Sequence, residues 1–299
     1  MQLSPNIMFQ AGQMVSVGTS RYTVVSKLGE GTYGAVFKVV DMEDRREKAM
    51  KTIKGVNEGC EEVRNLMALD GVEGVQKLHN SFMFNNHLVL VLEFYLCDLG
   101  KIAERQRCSQ RLVSKIGFNM LHILWQMHHI GILHRDIKPE NVMISYDGAK
   151  AELRLIDFGV SVVYKTPEGK LQKVPKKDYG FKWAPYTSSN MSHQIPATVF
   201  DDVEMMLYCL MAIRKCYPFN VESLDDRNDL KKKFHEHPQD YLGKKNRFLV
   251  PFAQLLFAQQ GRRAIDYPAL IDCMKKTSKF NEKMPFIVHF GRRGRISIE

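Results

Sequence analysis

The sequence predicts an α+β protein of two lobes, a small β-rich one first and a larger helical one after it. Three observations predict this. Short β-branched runs separated by turn residues fill the first part of the chain. After Glu93 the apolar residues recur every four positions instead. Further on, VEMMLYCLMAI is apolar nearly all round, which marks a buried central helix.

In chain order, YTVVSKL, AVFKVV, KAMKTI and HLVLVLEF read as strands of one antiparallel sheet. Between the third and fourth, EEVRNLMAL places Val63, Leu66, Met67 and Leu69 on one helical face, in a helix opened by Glu62. A short connection near residues 93–99 follows. Leu112, Ile116, Met120 and Leu124 form the core stripe of a long helix. NVMIS and LRLIDF read as short strands, and the basic ending GRRGRISIE as partly loop-like. A ligand cleft between the two lobes is the natural expectation. No internal repeat or low-complexity block interrupts the pattern.

The 299 residues suffice for one large domain or two lobes. The formal charge of +10 favours acidic partners such as phosphopeptides, acidic protein surfaces and anionic nucleotides. No zinc-finger spacing or aromatic-basic strand motif supports nucleic acid as a partner. Cys60, Cys97, Cys108, Cys209, Cys216 and Cys273 form no Cys-x-x-Cys pair, so reduced thiols of a cytoplasmic or nuclear protein are expected. MQLSPNIMFQ lacks a basic region followed by an apolar core, so no signal peptide is expected. No apolar run approaches the ~20 residues that span a bilayer, and no membrane role is expected.

Three motifs carry chemistry. In GEGTYGAV, Gly29, Gly31 and Gly34 let a strand-turn-strand pass close to phosphate oxygens and offer backbone N–H groups. Alone this is equally well a tight turn. A dinucleotide-binding turn is disfavoured because a strand pattern, AVFKVV, follows instead of a helix. Lys51 is either an exposed strand lysine or a phosphate-binding cation. The second role needs a carboxylate to orient it, and both Glu62 and its neighbour Glu61 are placed to serve.

LHRDIKPENVMI, with Asp157-Phe158-Gly159 after a strand, decides between these readings. Phosphoryl transfer from ATP needs an aligned hydroxyl, neutralised phosphates and metal ions. Asp136 can accept or orient the hydroxyl proton, and Lys138 can reach the transferring phosphate. Asn141 and Asp157 supply hard oxygen ligands suited to Mg²⁺. All of these in this order leave little room for solvated surface charge.

On these residues the chain resembles the eukaryotic protein kinase family from about Arg21 to Lys276. The resemblance implies the bilobal kinase fold. It implies a kinase domain over residues 21–280, with an N-lobe of about 21–93 and a C-lobe of about 98–280, between an extension at 1–20 and a basic tail at 281–299. It implies ATP and Mg²⁺ or Mn²⁺ as cofactors. Leu28, Gly29, Glu30, Gly31, Gly34 and Val36 would cover the nucleotide, Ala49 would pack on the adenine, and Met143 would be a further nucleotide-binding residue. Leu92 would be the gatekeeper, and Glu93 to Tyr95 the hinge. Lys51 would pair with Glu62, Asp136 would be the catalytic base, and Lys138 would touch phosphate. Asn141 and Asp157 would hold the metal. The Lys-Pro-Glu-Asn form of the catalytic loop is similar to that of serine/threonine kinases.

YTSSNMSH is similar to the casein kinase 1 group, in which a Ser-x-Asn-type sequence replaces Ala-Pro-Glu. DDVEMMLYCLM resembles that group's buried helix, with Asp202 anchoring the catalytic loop. DYPALIDCMKK resembles its closing helix, and the ungapped stretch from Glu62 to Val75 resembles the tau-tubulin kinase-like branch. The group implies acidic or phosphorylated substrates and activity without activation-segment phosphate, although Arg135 is there to receive one. Lys173, Lys176, Lys177 and Lys182 are either a surface for such substrates or a solvated loop. A monomer is expected.

One place departs from the family. Trp183-Ala184 stands where most kinases carry Gly-Thr, so the hydroxyl that ties this loop to the catalytic residues is missing unless Thr187 or Ser188 replaces it. The alternative to an active kinase is therefore a nucleotide-binding scaffold of the same fold. Ser297 is either a basic-directed phosphosite or part of a frayed tail.

Overall fold

The computed structural model describes residues 9–31, 34–175, 185–262, 264–292 and 295–299, leaving aside the side chains of Val56 and Glu58. The expectations for Trp183-Ala184 and for Lys176, Lys177 and Lys182 lie outside the described residues. The chain divides into two compact units: Met1–Gly71 with Val75–Tyr95 and Asp157–Ser161, and the remainder from Val72–Gly74, Leu96–Ile156 and Val162–Glu299.

The first unit is a six-stranded antiparallel sheet with one helix. Its elements are β1 (Met14–Val17), β2 (Ser20–Gly31), β3 (Gly34–Asp41), β4 (Glu47–Ile53), α1 (Val56–Ala68), β5 (Leu78–Phe84) and β6 (His87–Glu93). The sheet order is β1-β2-β3-β4-β6-β5. Strand alternation sends Phe37, Met50, Val89 and Val91 to one core face, with Tyr22, Val24 and Phe9. Gly34 is required by the sheet itself. Its φ is +151°, and a Cβ there would lie 1.7 Å from the Thr52 carbonyl oxygen.

Four features of this unit add to or correct the sequence expectations. The extension before residue 21 contributes β1 and the buried Phe9, and β5 was not expected at all. Helix α1 begins before Glu62, which sits within it instead of opening it. The apolar face also differs. Met67 is 65% exposed, whereas Glu62, Asn65, Leu66 and Leu69 are buried. Two polar residues, Glu62 and Asn65, occupy the face turned inward because each has a hydrogen-bond partner there, Lys51 and Ser161.

The second unit is mainly helical. It contains β7 (Cys97–Asp98), α2 (Leu99–Arg105), α3 (Gln110–Ile130), β8 (Ile132–Leu133), β9 (Val142–Tyr146), β10 (Ala151–Leu155) and β11 (Val162–Val163). Then come α4 (Ser189–Ser192), α5 (Val199–Ile213), α6 (Leu224–Glu236), α7 (Pro238–Tyr241), α8 (Val250–Phe257), α9 (Tyr267–Thr277), β12 (Val288–Phe290) and β13 (Ile296–Ile298). Ser109 caps α3, its hydroxyl accepting from the Leu112 N–H at 3.1 Å. Gly131 ends α3 in the left-handed region at φ 105°, where a Cβ would meet the Lys165 carbonyl oxygen at 2.2 Å. The stripe Leu112, Ile116, Met120 and Leu124 is buried, and α5 is buried almost throughout. No helix among the described residues is long and apolar enough to cross a membrane.

The expected frayed ending is a folded ribbon. β12 pairs with β13, placing Ser297 opposite His289. Ile298 is buried, and its N–H and carbonyl are both bonded by the Gln106 amide. The Lys115 ammonium donates to the Pro285 carbonyl at 2.9 Å and lies over the Phe286 ring.

Candidate active site

In the first unit, β4 presents Lys51 opposite Val36 of β3 and Leu90 of β6. Its Nζ donates to Glu62 Oε1 at 2.8 Å, Glu62 Oε2 at 2.9 Å and Asp157 Oδ1 at 2.7 Å. The two carboxylate candidates are thereby separated: Glu62 is buried against the lysine, and Glu61 is exposed. Burial works against the Lys51 charge, but the Asp157 and Glu62 carboxylates together hold its pKa above the ordinary lysine value. Burial raises that of Glu62, Lys51 pulls it back, and Asp157 adds to the rise.

Asp157 has φ +66°, uncommon for a residue with a Cβ, and its N–H donates to Gln76 Oε1 at 3.1 Å. Phe158 beside it is buried. The Ser161 hydroxyl donates to the Phe158 carbonyl and accepts from Asn65 Nδ2 at 2.8 Å. Helix α1 therefore holds this segment directly through Asn65, and through Glu62 only by way of Lys51. The sequence reading missed Asn65 and Gln76. The signal for Asn65 is its spacing of three from Glu62, which puts both on one helical face.

The expected nucleotide-covering residues of this unit divide. Ala49 and Leu92 are directly paired across β4 and β6, and both are buried. Val36 is half-buried. Leu28 is 48% exposed, at an irregular register of β2. Glu30 is exposed and ion-paired with Lys27. A Cβ added at Gly29 or Gly31 would meet open space, unlike one at Gly34. The first two glycines thus leave room that no atom of the described residues fills. The Glu93 N–H is bonded to the Lys77 carbonyl, and the buried Tyr95 hydroxyl accepts from the Lys77 N–H.

In the second unit, Asp136 sits in the loop after β8. Its Oδ2 accepts from Lys138 Nζ at 2.7 Å and Asn141 Nδ2 at 2.9 Å. Asn141 Nδ2 also donates to the Asp136 carbonyl, which turns the amide oxygen away from that pair. The loop is held from beneath by the fully buried Asp202 of α5. Asp202 accepts the His134 and Arg135 N–H groups at 2.8 Å each and His128 Nε2 at 2.8 Å. Burial opposes the Asp202 charge, but His128 and the backbone donors keep its carboxyl below the ordinary value. Arg135 has φ +68°, so the residue before Asp136 also holds a conformation uncommon outside glycine. Met143 lies on β9, half-buried.

Each unit carries donors of the kinds that suit a nucleotide and a divalent cation. In the first, Lys51 is a fixed ammonium and Asp157 a carboxylate. In the second, Asn141 carries a hard amide oxygen and Asp136 is a carboxylate held by two donors.

A model of the protein kinase domain matches residues 22–238. A Dictyostelium discoideum protein named as a cyclin-dependent serine/threonine-protein kinase is 36% identical over 150 residues, which are 48% of this chain and 22% of that protein. An Encephalitozoon cuniculi protein named as a casein kinase I homolog is 29% identical over 203 residues, 65% of this chain and 62% of that protein. The chain thus spans less than two thirds of the length of either relative. Among solved structures, vaccinia related kinase 3 is similar with a TM-score of 0.73 at 14% identity, covering 92% of each chain.

Proposed function

The chain belongs to the protein kinase family, and from that premise we propose that it transfers the γ-phosphate of ATP to serine or threonine hydroxyls of proteins. The fold is the protein kinase fold, with a β-sheet N-lobe and a helical C-lobe. The observation that carries the activity is Lys51, held at once by both Glu62 oxygens and by Asp157. A scaffold that had lost the chemistry would be free to lose such a desolvated arrangement, which is costly to keep.

A divalent cation bound by Asn141 and Asp157 would supply charge neutralisation at the phosphates. The chain's own residues do the rest. Lys51 donates to phosphate oxygens, and Glu62 keeps it aimed. Asp136 orients the acceptor hydroxyl and takes up its proton. Lys138 offsets charge on the transferring group, and Asp202 fixes the loop that carries both.

The casein kinase 1 group is the subfamily we favour, supported by YTSSN and by the casein kinase I homolog's similarity. Activity without activation-segment phosphate is supported by the folding of residues 161–165 at its start. Tyr164 and Lys165 N–H groups bond the Gly131 carbonyl, the Tyr164 hydroxyl bonds the His128 carbonyl, and Ser161 is buried. Acidic or phosphorylated protein substrates are supported by the charge of +10 and by Lys215. That lysine lines a cavity of about 490 Å³ with Pro185, Tyr186 and Tyr217. A monomer acting in the cytoplasm or nucleus completes the proposal.

The test incubates the protein with Mg-ATP and, in turn, casein, an acidic protein and phosphorylated peptides, beside Asp157→Ala. Phosphoserine or phosphothreonine that disappears in the variant is the expected result. Nucleotide binding without transfer to any acceptor would overturn the proposal and favour the scaffold.

A further inference from the structure

Lys231 of α6 is a lysine with 0% exposure, far from the residues assigned to phosphate transfer in sequence and role. Lysines are almost never fully buried without a reason. Its Nζ donates to the Pro185 carbonyl at 3.1 Å and to the Thr187 carbonyl, and lies 5.1 Å from the centre of the Tyr208 ring. Beside it, the fully buried Glu204 of α5 takes His235 Nε2 at 2.7 Å and the Tyr208 hydroxyl at 2.5 Å on Oε1. Its Oε2 accepts the Ser189 N–H at 3.2 Å. Asp201, one turn earlier, accepts the Ser188 hydroxyl at 2.6 Å. The backbone or side chain of Pro185, Thr187, Ser188 and Ser189 is thus tied to charged groups that reach no solvent.

We propose that Lys231, Glu204 and His235 form a buried clasp that sets the position of residues 185–189, and through it the affinity for the protein acceptor. Lys231 and His235 are positioning residues: Lys231 touches the backbone of residues 185–187 and His235 touches Glu204, not the reacting atoms. Their spacing of four on α6 puts both on one face toward α5. The inference rests on the kinase reading above.

The clasp has a pH signature. Burial pushes the Lys231 pKa down to about 8, Glu204 counters this, and Arg227 adds to the fall. The titratable groups around it are Glu204, Asp201 and Tyr208 from α5, Arg227 and His235 from α6, and Tyr217. Above pH 8 the ammonium loses its charge and its hold on the two carbonyls weakens. The effect on stability has the opposite sign. A lysine with a folded pKa below its ordinary 10.5 is protonated in the unfolded chain first as pH falls, so its contribution to stability rises from about pH 8 towards 10.5.

The experiment measures KM for dephosphorylated casein and for ATP in the wild type, Lys231→Met and Lys231→Arg. Loss of a buried charge-assisted donor should raise the casein KM about tenfold in Lys231→Met, with the ATP KM unchanged and partial recovery in Lys231→Arg. The wild-type casein KM should rise between about pH 7 and 9 while that of Lys231→Met stays flat. Equal shifts in both KM values, or none, would overturn the clasp. Hydrogen exchange of residues 185–192 decides the matter without any catalysis: faster exchange in Lys231→Met supports it, and unchanged protection overturns it. A wild type that phosphorylates nothing contradicts the kinase reading, and the exchange result still judges the clasp.

Discussion

Glu62 and Glu204 are both helix carboxylates withdrawn from water, at 2% and 0% exposure. They use their oxygens differently. Glu62 gives both to one lysine, Lys51, which meets Asp157 as well. Glu204 divides its oxygens among a tyrosine, a histidine and a backbone N–H, while the nearby Lys231 bonds carbonyls. The first arrangement fixes a cation for a ligand's charge. The second fixes a stretch of backbone. Burying a carboxylate is costly in either case unless it is fully bonded, so the partner list, more than the burial, says what each glutamate is for.

The sharpest way to break this division is at Lys51. Lys51→Met should lower kcat by about 10²–10³, the usual scale for removing one preorganised electrostatic donor, while the casein KM holds. Asp136→Asn should cost about 10²–10⁴ in kcat with ATP binding retained, as measured by nucleotide titration.

The next effects are on stability and test the revised face of α1. Leu66→Ala should cost about 2–5 kcal/mol in chemical unfolding. Met67→Ala should fall within about 0.5 kcal/mol, because that side chain is exposed. If Met67 proved the costlier, the helix face would be assigned wrongly. Asn65→Ala leaves Ser161 without its buried donor and should cost about 1–3 kcal/mol.

The smallest effect concerns Asp201. Burial, with Glu204 beside it, pushes its pKa up to about 7. A carboxyl raised above its unfolded value contributes stability at low pH that is lost as pH climbs from about 4 through 7. Asp201→Asn should remove that slope from a plot of unfolding midpoint against pH, and an unchanged slope would place the titration elsewhere.

The motifs were legible because phosphoryl transfer constrains residue type and order. Asp136, Lys138, Asn141 and Asp157 are read from LHRDIKPENVMI and Asp157-Phe158-Gly159, which then decide the role of Lys51, and the four-residue stripe of α3 is read from its period. Helix α1 misled because its inward face carries Glu62 and Asn65, so an apolar periodicity rule assigned Met67 instead. Strand β5 was missed because LHNSFMF lies at a sheet edge and buries little beyond Phe82. The closing ribbon was hidden because its buried anchors, Phe286 and Ile298, flank an arginine-rich stretch and find their partners at Lys115 of α3 and at Gln106 just after α2. Lys231 and Glu204 belong to no motif that spacing alone could expose. Their meaning comes from the carbonyls and N–H groups of a segment some forty residues away in sequence for Lys231.

The division of labour between the two glutamates is tested most directly by measuring both KM values, for ATP and for casein, in Glu62→Gln and Glu204→Gln. Glu62→Gln should raise the ATP KM or lower kcat and leave the casein KM alone, and Glu204→Gln should raise the casein KM and leave ATP alone. The same parameter changing in both variants would contradict the account.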